Sequence, residues 1–485
     1  MASDTPTLHE DPAALLFGRD PTPGIVSVSA GRNGLARVWR RDGRALVYEE
    51  VRFPNWFFLT DLEVLDGQES ERIDPAALRE GVPRLESGLG LVELEGQGVY
   101  RYLALTTRLA EVEGRIVAVR RRRGEQVRTV GDLRGSVYSR SPAEQYLALT
   151  GRTYFKGMAF DDPRRMQFDL ETTGLDPNTD QIFMIAVADS DGFRLLLDTA
   201  EQTERELLEC FVEVVRERDP DIFENHNIFE FDIPFLVKRA AALGVPLRLG
   251  RDGGELTSHP DSLKIGERSD SFTRWTVGGR EIVDTLHAVR RYGAIVRDMR
   301  QHGLKEAARY FGVASDAREY VPGPEIWETF RSDPERVRRY AMDDVLEVAE
   351  LSRLLLKTSF ALAQMVPKPY ERIATSGTGQ GLIEPLLVRA YLSRGQALPK
   401  GRAASGTYAG ARTELFTSGV VQNVVKADVA SLYPNIMLTY GIAPRSDELG
   451  VFPTLLRALT TLRLEHKAEA RRLRDRPPDP PKVGG

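Results

Sequence analysis

Strand-like and helix-like runs alternate from about residue 156 to about residue 360, and this alternation constrains the fold more than any other feature. The runs 165–171 and 181–188 are short and apolar, which predicts strands. A helix is predicted from Thr203, because Glu206 three residues later completes a capping box. The alternation therefore predicts an α/β region in the middle of the chain.

Further helices in this region are indicated by their ends. Glycine stands just past the last apolar residue of two of them, at Gly244 and Gly312, as is common where a helix terminates. Ser332, Pro334 and Glu335 have the residue types that open a helix. The predicted helices span 232–243 (or 234–243), 304–311 and about 334–356.

The segments on either side have a different character. Residues 1–155 alternate β-rich runs with glycine and charged turns, at 24–29, 36–40, 45–51, 56–60 and 115–120, which predicts a β-rich domain without a catalytic constellation. Residues 371–412 are rich in Gly, Ser and Thr, 420–429 is a β-branched run that ends near Asp428, and 455–474 is an amphipathic helix. Three domains are therefore expected, at 1–155, 156–360 and 361–485.

Composition excludes several classes of protein. Of the 485 residues 41% are apolar and 28% are charged, which is ordinary for a globular protein, and no apolar run approaches the roughly 18 residues that span a membrane. The acidic, polar N-terminus lacks the features of a signal peptide, so a cytoplasmic location is expected, with the nucleoid as the site in a prokaryote. The one cysteine, Cys210, cannot form an internal disulfide. A net charge of −5 gives no general support for nucleic-acid binding, although 120–123 is a basic run that would fit a solvated hairpin end.

Three separated runs in the α/β region carry acidic residues in positions suited to metal binding. Asp169 and Glu171 are two apart on a predicted strand, so both side chains leave the same face and can share one ion. Asp232 stands at a predicted helix start, where an N-cap is the simpler explanation. Tyr340 and Asp344 are one helical turn apart, and their alternatives are a core aromatic and an exposed acid.

Taken together and in this order, FDLETTGLD, NHNIFEFDIPFL and YAMDDVLEV resemble the Exo I, Exo II and Exo III motifs of the proofreading exonuclease in family B DNA polymerases. The runs 281–291 and 302–313 also resemble that family, and Asp284 is interpreted as structural. The resemblance implies an RNase H-like fold and hydrolysis of the 3′-terminal phosphodiester of DNA with two Mg²⁺ ions, which Mn²⁺ can replace. It implies metal ligation by Asp169, Glu171, Asp232 and Asp344, and orientation of water by Tyr340.

Asn227 and Phe231 match positions of the family near the frayed terminal nucleotide. An aromatic side chain can hold any base by stacking, at roughly 1–3 kcal/mol. For Phe231, packing in the core is an equally good interpretation.

The run KADVASLYPNIM resembles motif A of the same family, in which an aspartate holds catalytic magnesium. The resemblance makes Asp428 that ligand and Tyr433 the residue that excludes a 2′-OH, with Ser431 and Leu432 offering backbone amides to the triphosphate. Arg463 and Lys467 resemble basic residues of the fingers, and YAGA at 408–411 resembles the signature between the exonuclease and the polymerase. For Arg463 and Lys467 a solvated helix face is the alternative.

A two-metal transfer site needs a second carboxylate, which the family supplies from a later YGDTDS-like segment that is absent from this sequence. We therefore expect the N-terminal part of a family B polymerase, with an RNase H-like exonuclease between a β-rich domain and a partial palm and fingers, and no templated synthesis by this chain alone. The alternatives are a free-standing 3′–5′ exonuclease and a non-catalytic DNA-binding subunit. The expected partners are DNA with a single-stranded or frayed 3′ end, a second polypeptide carrying the rest of the polymerase and, only with it, dNTP; no membrane is expected.

Overall fold

Two small sheets form the first part of the molecule, whose computed structural model describes residues 11–133, 135–266, 268–315, 317–401 and 414–474. The first sheet is antiparallel with the order β1-β2-β3, and the second has the order β5-β6-β7-β4-β8. Their strands are β1 Ile25–Ala30, β2 Leu35–Asp42, β3 Ala45–Arg52, β4 Asn55–Leu59, β5 Glu71–Ile73, β6 Leu89–Glu93, β7 Tyr102–Thr106 and β8 Val137–Ser139. The four strand predictions between residues 24 and 60 are confirmed to within a few residues.

The strand predicted at 115–120 is wrong, because this stretch lies inside a helix. The helices of the first part are α1 Pro12–Phe17, α2 Ala76–Glu80, α3 Leu109–Arg122 and α4 Pro142–Thr150. In α3, Leu109, Val112 and Ile116 recur at helical spacing and are buried, so one face packs on the second sheet. The arginines of the basic run lie at the C-terminal end of α3 and not in a hairpin. Cations at this end of a helix interact favourably with the helix dipole.

A mixed five-stranded sheet forms the centre of the middle part, with the order β11-β10-β9-β12-β15. The strands of this part are β9 Arg165–Thr172, β10 Ile182–Asp189, β11 Arg194–Asp198, β12 Ile222–Asn225, β13 Thr257–Ile265, β14 Arg268–Thr276 and β15 Glu281–Asp284. The pairs β11–β10 and β10–β9 are antiparallel, whereas β9–β12 and β12–β15 are parallel. The remaining two strands, β13 and β14, form a separate hairpin.

Helices cover both faces of this sheet. They are α5 Glu204–Arg218, α6 Asp232–Leu243, α7 Thr285–Val296, α8 Leu304–Phe311, α9 Ile326–Ser332, α10 Pro334–Leu355 and α11 Lys357–Ala363. The buried strand β10 divides its side chains by alternation: Met184 and Ala186 join the cluster with α9 and α10, whereas Ile185 and Val187 join the cluster with α5 and α6. The α/β interpretation is confirmed, and β9 lies at the centre with α10 across one face.

The last part consists of α12 Tyr370–Ile373, α13 Glu384–Leu392, α14 Leu432–Thr439 and α15 Val451–Arg474. One apolar cluster joins this part to the others, since it contains Leu16 of α1, Ile222 of β12, Phe360 of α11 and Leu455 of α15. Two short bridges, Glu95 to Gln396 and Tyr100 to Leu398, add backbone pairing between the first and last parts. We call the apolar cluster that contains Leu16, Ile222, Phe360 and Leu455 the shared core.

The valine-rich run before Asp428 does not form a strand. Val420, Val424 and Val425 are 99%, 73% and 89% exposed, and the run has no ladder partner among the described residues. A strand needs a neighbour for its backbone N–H and C=O groups, so local β propensity alone does not produce one. The YAGA segment at 408–411 lies outside the described residues. None of the helices in the described part of the chain has the length and apolar character required to cross a membrane.

Candidate functional site

Asp169 and Glu171 lie on β9, the central strand, and point towards α10. The register with β10 places Asp169 beside Ala186 and Glu171 beside Met184, and both of these partners belong to the apolar cluster under α10. On α10 itself, Tyr340 and Asp344 are one turn apart and both buried. Strand alternation and helical spacing therefore direct these side chains into the same gap between sheet and helix.

Three carboxylates meet in that gap. One oxygen each from Asp169, Glu171 and Asp344 lies within 4.8 Å of the other two. Among the His, Cys, Asp and Glu side chains of the described ranges, this group has the spacing of a metal site. Hard divalent cations such as Mg²⁺ prefer a few carboxylate oxygens together with water and substrate oxygens. The donor set therefore fits such an ion.

Asp232 approaches the same acids from the start of α6. It is 2% exposed, and its Oδ1 atom has no hydrogen-bond partner within the described structure. Phe231 occupies the N-cap position, and no side chain caps this helix end. The N-cap explanation for Asp232 is therefore wrong, and its buried Oδ1 atom, which lacks a protein partner within the described structure, fits the role of a cation ligand.

Burial raises the pKa of all four carboxyl groups. For Asp169, the next cause after burial is the negative charge of Asp344. For Glu171 and Asp232, whose pKa values lie well above the usual range, burial again comes first and the charge of Asp169 second. The pKa of Asp344 is also raised by burial, although Arg318 opposes that increase. Such mutual repulsion is relieved when a divalent cation enters the site.

Two cationic residues that the sequence reasoning did not single out line the same gap. Lys305 of α8 donates a hydrogen bond from Nζ to the hydroxyl of Tyr340, and this nitrogen lies 4.3 Å from the centre of the Tyr340 ring. Arg318, in the loop after α8, donates from Nη2 to Oδ1 of Asp344. Lys305 belongs to the run 302–313, which resembles the family, so the sequence could have indicated it as a site residue. Arg318 stands in a run without a helix, strand or motif pattern.

The candidate substrate residues Asn227 and Phe231 lie on the turn that leads into α6. Asn227 has a positive φ of 73°, and its backbone N–H donates to Oδ1 of Asp284 at 2.8 Å. The same Asp284 oxygen accepts from the N–H of Leu286 at 2.9 Å, so the structural interpretation of Asp284 agrees with its contacts. Phe231 is half-buried against Phe235, with 5.6 Å between ring centres.

Asn225, at the end of β12, is a third residue near the acids that the sequence reasoning did not single out. Its Nδ2 atom donates to Oδ1 of Asp169 at 3.3 Å, which fixes the orientation of that carboxylate.

The second group of predicted residues lies apart from these acids in the last part of the chain. Asp428 is exposed, and Tyr433, at the start of α14, is 73% exposed. Ser431 has left-handed backbone geometry with a φ of 53°, and its hydroxyl accepts a hydrogen bond from Arg463 of α15. The structure thus brings Ser431 and Arg463 together, whereas Lys467 is exposed and no cluster of metal-ligand spacing surrounds Asp428 in the described ranges.

Comparison with known proteins gives matches to DNA polymerases. The family described as "DNA polymerase family B, exonuclease domain" matches residues 148–306, a range that stops before Tyr340 and Asp344. A DNA polymerase of Pyrococcus glycovorans is 31% identical over 323 residues, which cover 62% of this chain and 39% of that protein. DNA polymerase 2 of Aeropyrum pernix is 29% identical over 290 residues, covering 58% of this chain and 34% of that protein.

A solved structure is similar over a longer range. The family B DNA polymerase from Pyrobaculum calidifontis aligns with a TM-score of 0.64 at 22% identity, over 95% of this chain and 65% of that one. At this identity the likeness shows a shared fold. The aligned part covers 39% of the Pyrococcus glycovorans polymerase and 34% of the Aeropyrum pernix polymerase, so this chain spans less than half the length of these relatives.

Proposed function

We propose that this chain is the N-terminal portion of a family B DNA polymerase and removes nucleotides from the 3′ ends of DNA, since residues 148–306 match the exonuclease domain of that family. The observation that carries the proposal is the meeting of Asp169, Glu171 and Asp344 within 4.8 Å beneath α10. We propose the same division as before: a β-rich domain at 1–155, the exonuclease at 156–360, and the start of palm and fingers at 361–485.

Asp169, Glu171, Asp344 and Asp232 are the residues proposed to hold divalent cations, Mg²⁺ with Mn²⁺ as a substitute. Bound there, the cations would activate the attacking water and stabilise the departing 3′ oxygen. The four acids have raised pKa values, so ionising them in the folded protein is unfavourable. Bound cations would offset this free-energy cost. Asn225, through its bond to Asp169, keeps one ligand oxygen in a fixed direction.

Tyr340 is proposed to orient the water that attacks the terminal phosphodiester. Burial and the neighbouring Asp344 raise the pKa of its phenol, so the hydroxyl remains protonated and can donate a hydrogen bond. Lys305 donates to the same hydroxyl oxygen, which leaves the phenolic proton directed elsewhere. The half-buried ring of Phe231 and Asn227 are proposed to contact the frayed 3′ nucleotide.

Templated synthesis is proposed to require more than this chain. Asp428 is proposed as one of the two metal carboxylates that synthesis needs. The proposed nucleotide contacts are Tyr433, Ser431, Leu432, Arg463 and Lys467. The contact between Arg463 and Ser431 supports a shared role in holding a triphosphate. A second polypeptide, or a continuation of this one, would supply the other carboxylate and thereby allow dNTP binding. A cytoplasmic location, with the nucleoid as the site in a prokaryote, is part of the proposal.

The exonuclease proposal is tested with Asp169→Ala combined with Glu171→Ala. We expect the wild-type chain with Mg²⁺ or Mn²⁺ to shorten a labelled primer with a mismatched 3′ end, and the double variant to be slower by about 10³-fold or more, since several kcal/mol of transition-state stabilisation are lost. The matched control is Glu209→Ala with Glu213→Ala, two acids on α5 outside the site. A wild-type chain that leaves the primer intact would contradict the proposal.

A free-standing exonuclease is the second candidate, favoured by the exposed position of Asp428 and Tyr433. Primer extension separates the two candidates. The wild-type chain should extend no primer by itself, and addition of a polypeptide carrying the missing carboxylate should restore synthesis only if the chain is part of a polymerase. Extension by the chain alone would contradict the requirement for a second carboxylate.

A further inference from the structure

Arg318 is a buried cation in direct contact with one of the site carboxylates. Its side chain is 2% exposed, and its guanidinium donates from Nη2 to Oδ1 of Asp344. The same guanidinium lies 2.9 Å from Oε1 of Glu347, measured from Nε, and 3.6 Å from Oδ2 of Asp343, measured from Nη1. Glu347 lies less than one turn after Asp344 on α10 and is also buried.

The loop that carries Arg318 is anchored on both sides. The guanidinium carbon lies 5.4 Å from the ring centre of Tyr320 and 5.4 Å from that of Tyr340. The hydroxyl of Tyr320 accepts a hydrogen bond from Arg309 of α8 at 3.1 Å. Glu319 pairs with Arg336 of α10 at 3.0 Å. The approach of Arg318 to Asp344 is therefore set by the packing of the loop and not by one flexible side chain.

The contact with Glu347 is close but poorly directed. Neither carboxylate oxygen of Glu347 has a hydrogen-bond partner of acceptable geometry within the described structure, and neither do Nε and Nη1 of Arg318. Buried donors and acceptors left unpaired in this way cost about 1–3 kcal/mol each. A rotation of the guanidinium away from Asp344 would give Glu347 the direct hydrogen bonds that it now lacks.

We propose that Arg318 is an internal counter-cation, which holds the carboxylate of Asp344 while the metal site is empty, competes with the divalent cation for that carboxylate, and moves to Glu347 when the cation binds. This inference rests on the proposed function, because it concerns the same site. An arginine keeps its charge in a protein, so it cannot yield by losing a proton. It must instead change partner, and the nearby Glu347 provides one.

The consequence is a metal site with weaker affinity than its carboxylates alone would give. Arg318 stabilises the empty state by compensating a buried anion, and it repels an arriving divalent cation. Glu347 lowers the free-energy cost of moving Arg318 away from the arriving cation, because it accepts the displaced guanidinium.

The test is Mn²⁺ binding to the full chain, measured from the electron paramagnetic resonance signal of free Mn²⁺. Arg318→Met should bind Mn²⁺ more tightly than wild type, by roughly tenfold, about 1.4 kcal/mol. Arg353→Met is the matched control, an arginine on the exposed side of α10 that pairs with Glu350, and it should bind as wild type does. Equal or weaker binding by Arg318→Met, with a wild-type circular dichroism spectrum, would overturn the inference.

Glu347→Gln gives a second arm, whose first measurement, in the wild-type background, does not require the Arg318 variant. It should weaken Mn²⁺ binding, because Arg318 loses its alternative partner. The weakening should be smaller when Arg318 is already Met, and this difference isolates the coupling between the two residues. Equal weakening in both backgrounds would overturn the role of Glu347. A wild-type chain that binds no Mn²⁺ would overturn the proposed function as well, whereas tight wild-type binding without an effect of Arg318 would overturn the inference alone.

Discussion

Asp232 illustrates how a residue can be unfavourable for folding and still lie in a proposed metal site. Its carboxyl group is buried, has an oxygen without a partner and does not cap α6. Burial raises its pKa well above the usual range, and the charge of Asp169 raises it further. The ionised side chain is therefore disfavoured in the folded protein without metal.

Asp232→Asn should separate stability from activity. Without metal, at about pH 8, we expect the melting temperature to stay the same or to rise, because an unfavourable buried charge is removed. Exonuclease activity should fall by about 10²-fold or more, since a ligand is lost. Thermal melting in a chelator and the mismatched-primer assay measure the two effects.

Asp333→Asn is the control for this change, because Asp333 caps α10 and asparagine caps equally well. It should alter neither quantity appreciably. A large fall in the melting temperature of Asp232→Asn would show that the carboxylate stabilises the fold.

At the scale of residues, the sequence indicated which acids lie together but not what surrounds them. The common direction of Asp169 and Glu171 was predictable, because residues two apart on a strand point to the same face. The alternative of an exposed Asp344 was wrong because burial depends on the sheet packed against α10, which local spacing does not contain. Arg318 could not be predicted, since it lies in a loop without regular structure and its contact with Asp344 joins residues 26 apart.

At the level of elements, α5 shows how strongly a few local hydrogen bonds define a helix start. The hydroxyl of Thr203 accepts from the N–H of Glu206 at 3.3 Å, and the N–H of Thr203 donates to Oε2 of Glu206 at 2.8 Å. This capping box was predicted from the two residue types alone. The ends at Gly244 and Gly312 were predictable for the same reason, because both glycines take left-handed geometry immediately after their helices.

Thr203→Ala should loosen the first turn of α5. Loss of the capping hydroxyl costs about 1 kcal/mol, so the amide of Glu206 should exchange with solvent roughly fivefold faster if this turn opens locally. Hydrogen exchange followed by mass spectrometry of the peptide around this turn measures the change. Thr257→Ala, at an exposed hairpin threonine, should leave that peptide unaffected. Unchanged exchange in Thr203→Ala would contradict a capping role.

Strands and weakly patterned helices were less predictable than capped helices. The segment 115–120 was assigned to a strand because its β-branched residues outweighed the helical spacing of the residues before it. The run 420–429 has the composition of a strand but no partner in the described structure. In both cases the outcome depended on what packs alongside the segment, and not on the segment itself.

At the scale of the whole molecule, a pair of buried glutamates lies where three parts of the chain meet. Oε1 of Glu281, on β15, accepts from Ser27 of β1 and from Tyr154 after α4, both at 3.0 Å. Its Oε2 accepts from the backbone N–H of Glu371 on α12, also at 3.0 Å. Burial, and after it the charge of Glu371, raises the pKa of Glu281 to about 8. The pKa of Glu371 is raised by burial too, although Arg274 and Arg372 oppose this.

This junction should make stability depend on pH. Glu281 binds its proton more tightly when folded, with a pKa of about 8 against an ordinary value of 4.5. The folded chain therefore holds more protons than the unfolded chain between these values, and the free energy of unfolding should fall as the pH rises through this window. Melting temperatures measured from about pH 5 to about pH 8 should decline.

Glu281→Gln should flatten that decline. The variant should keep its fold, because the glutamine carbonyl can accept from the N–H of Glu371 while its NH2 group donates to the hydroxyl of Ser27. Glu80→Gln, an exposed glutamate at the end of α2, should keep the wild-type pH profile. A profile with the wild-type slope in Glu281→Gln would exclude Glu281 as its source.

The shared core has a consequence for modularity. It joins residues of α1, β12, α11 and α15, and within it Phe155 stacks on Phe360 with 4.4 Å between ring centres. A gene segment encoding only residues 148–306 would lack α10, and with it Tyr340 and Asp344. A longer segment ending at residue 360 would still leave apolar faces of the core uncovered. The proposed nuclease is therefore not a separable unit, because recombination or engineering would have to transfer the neighbouring parts of the chain together with it.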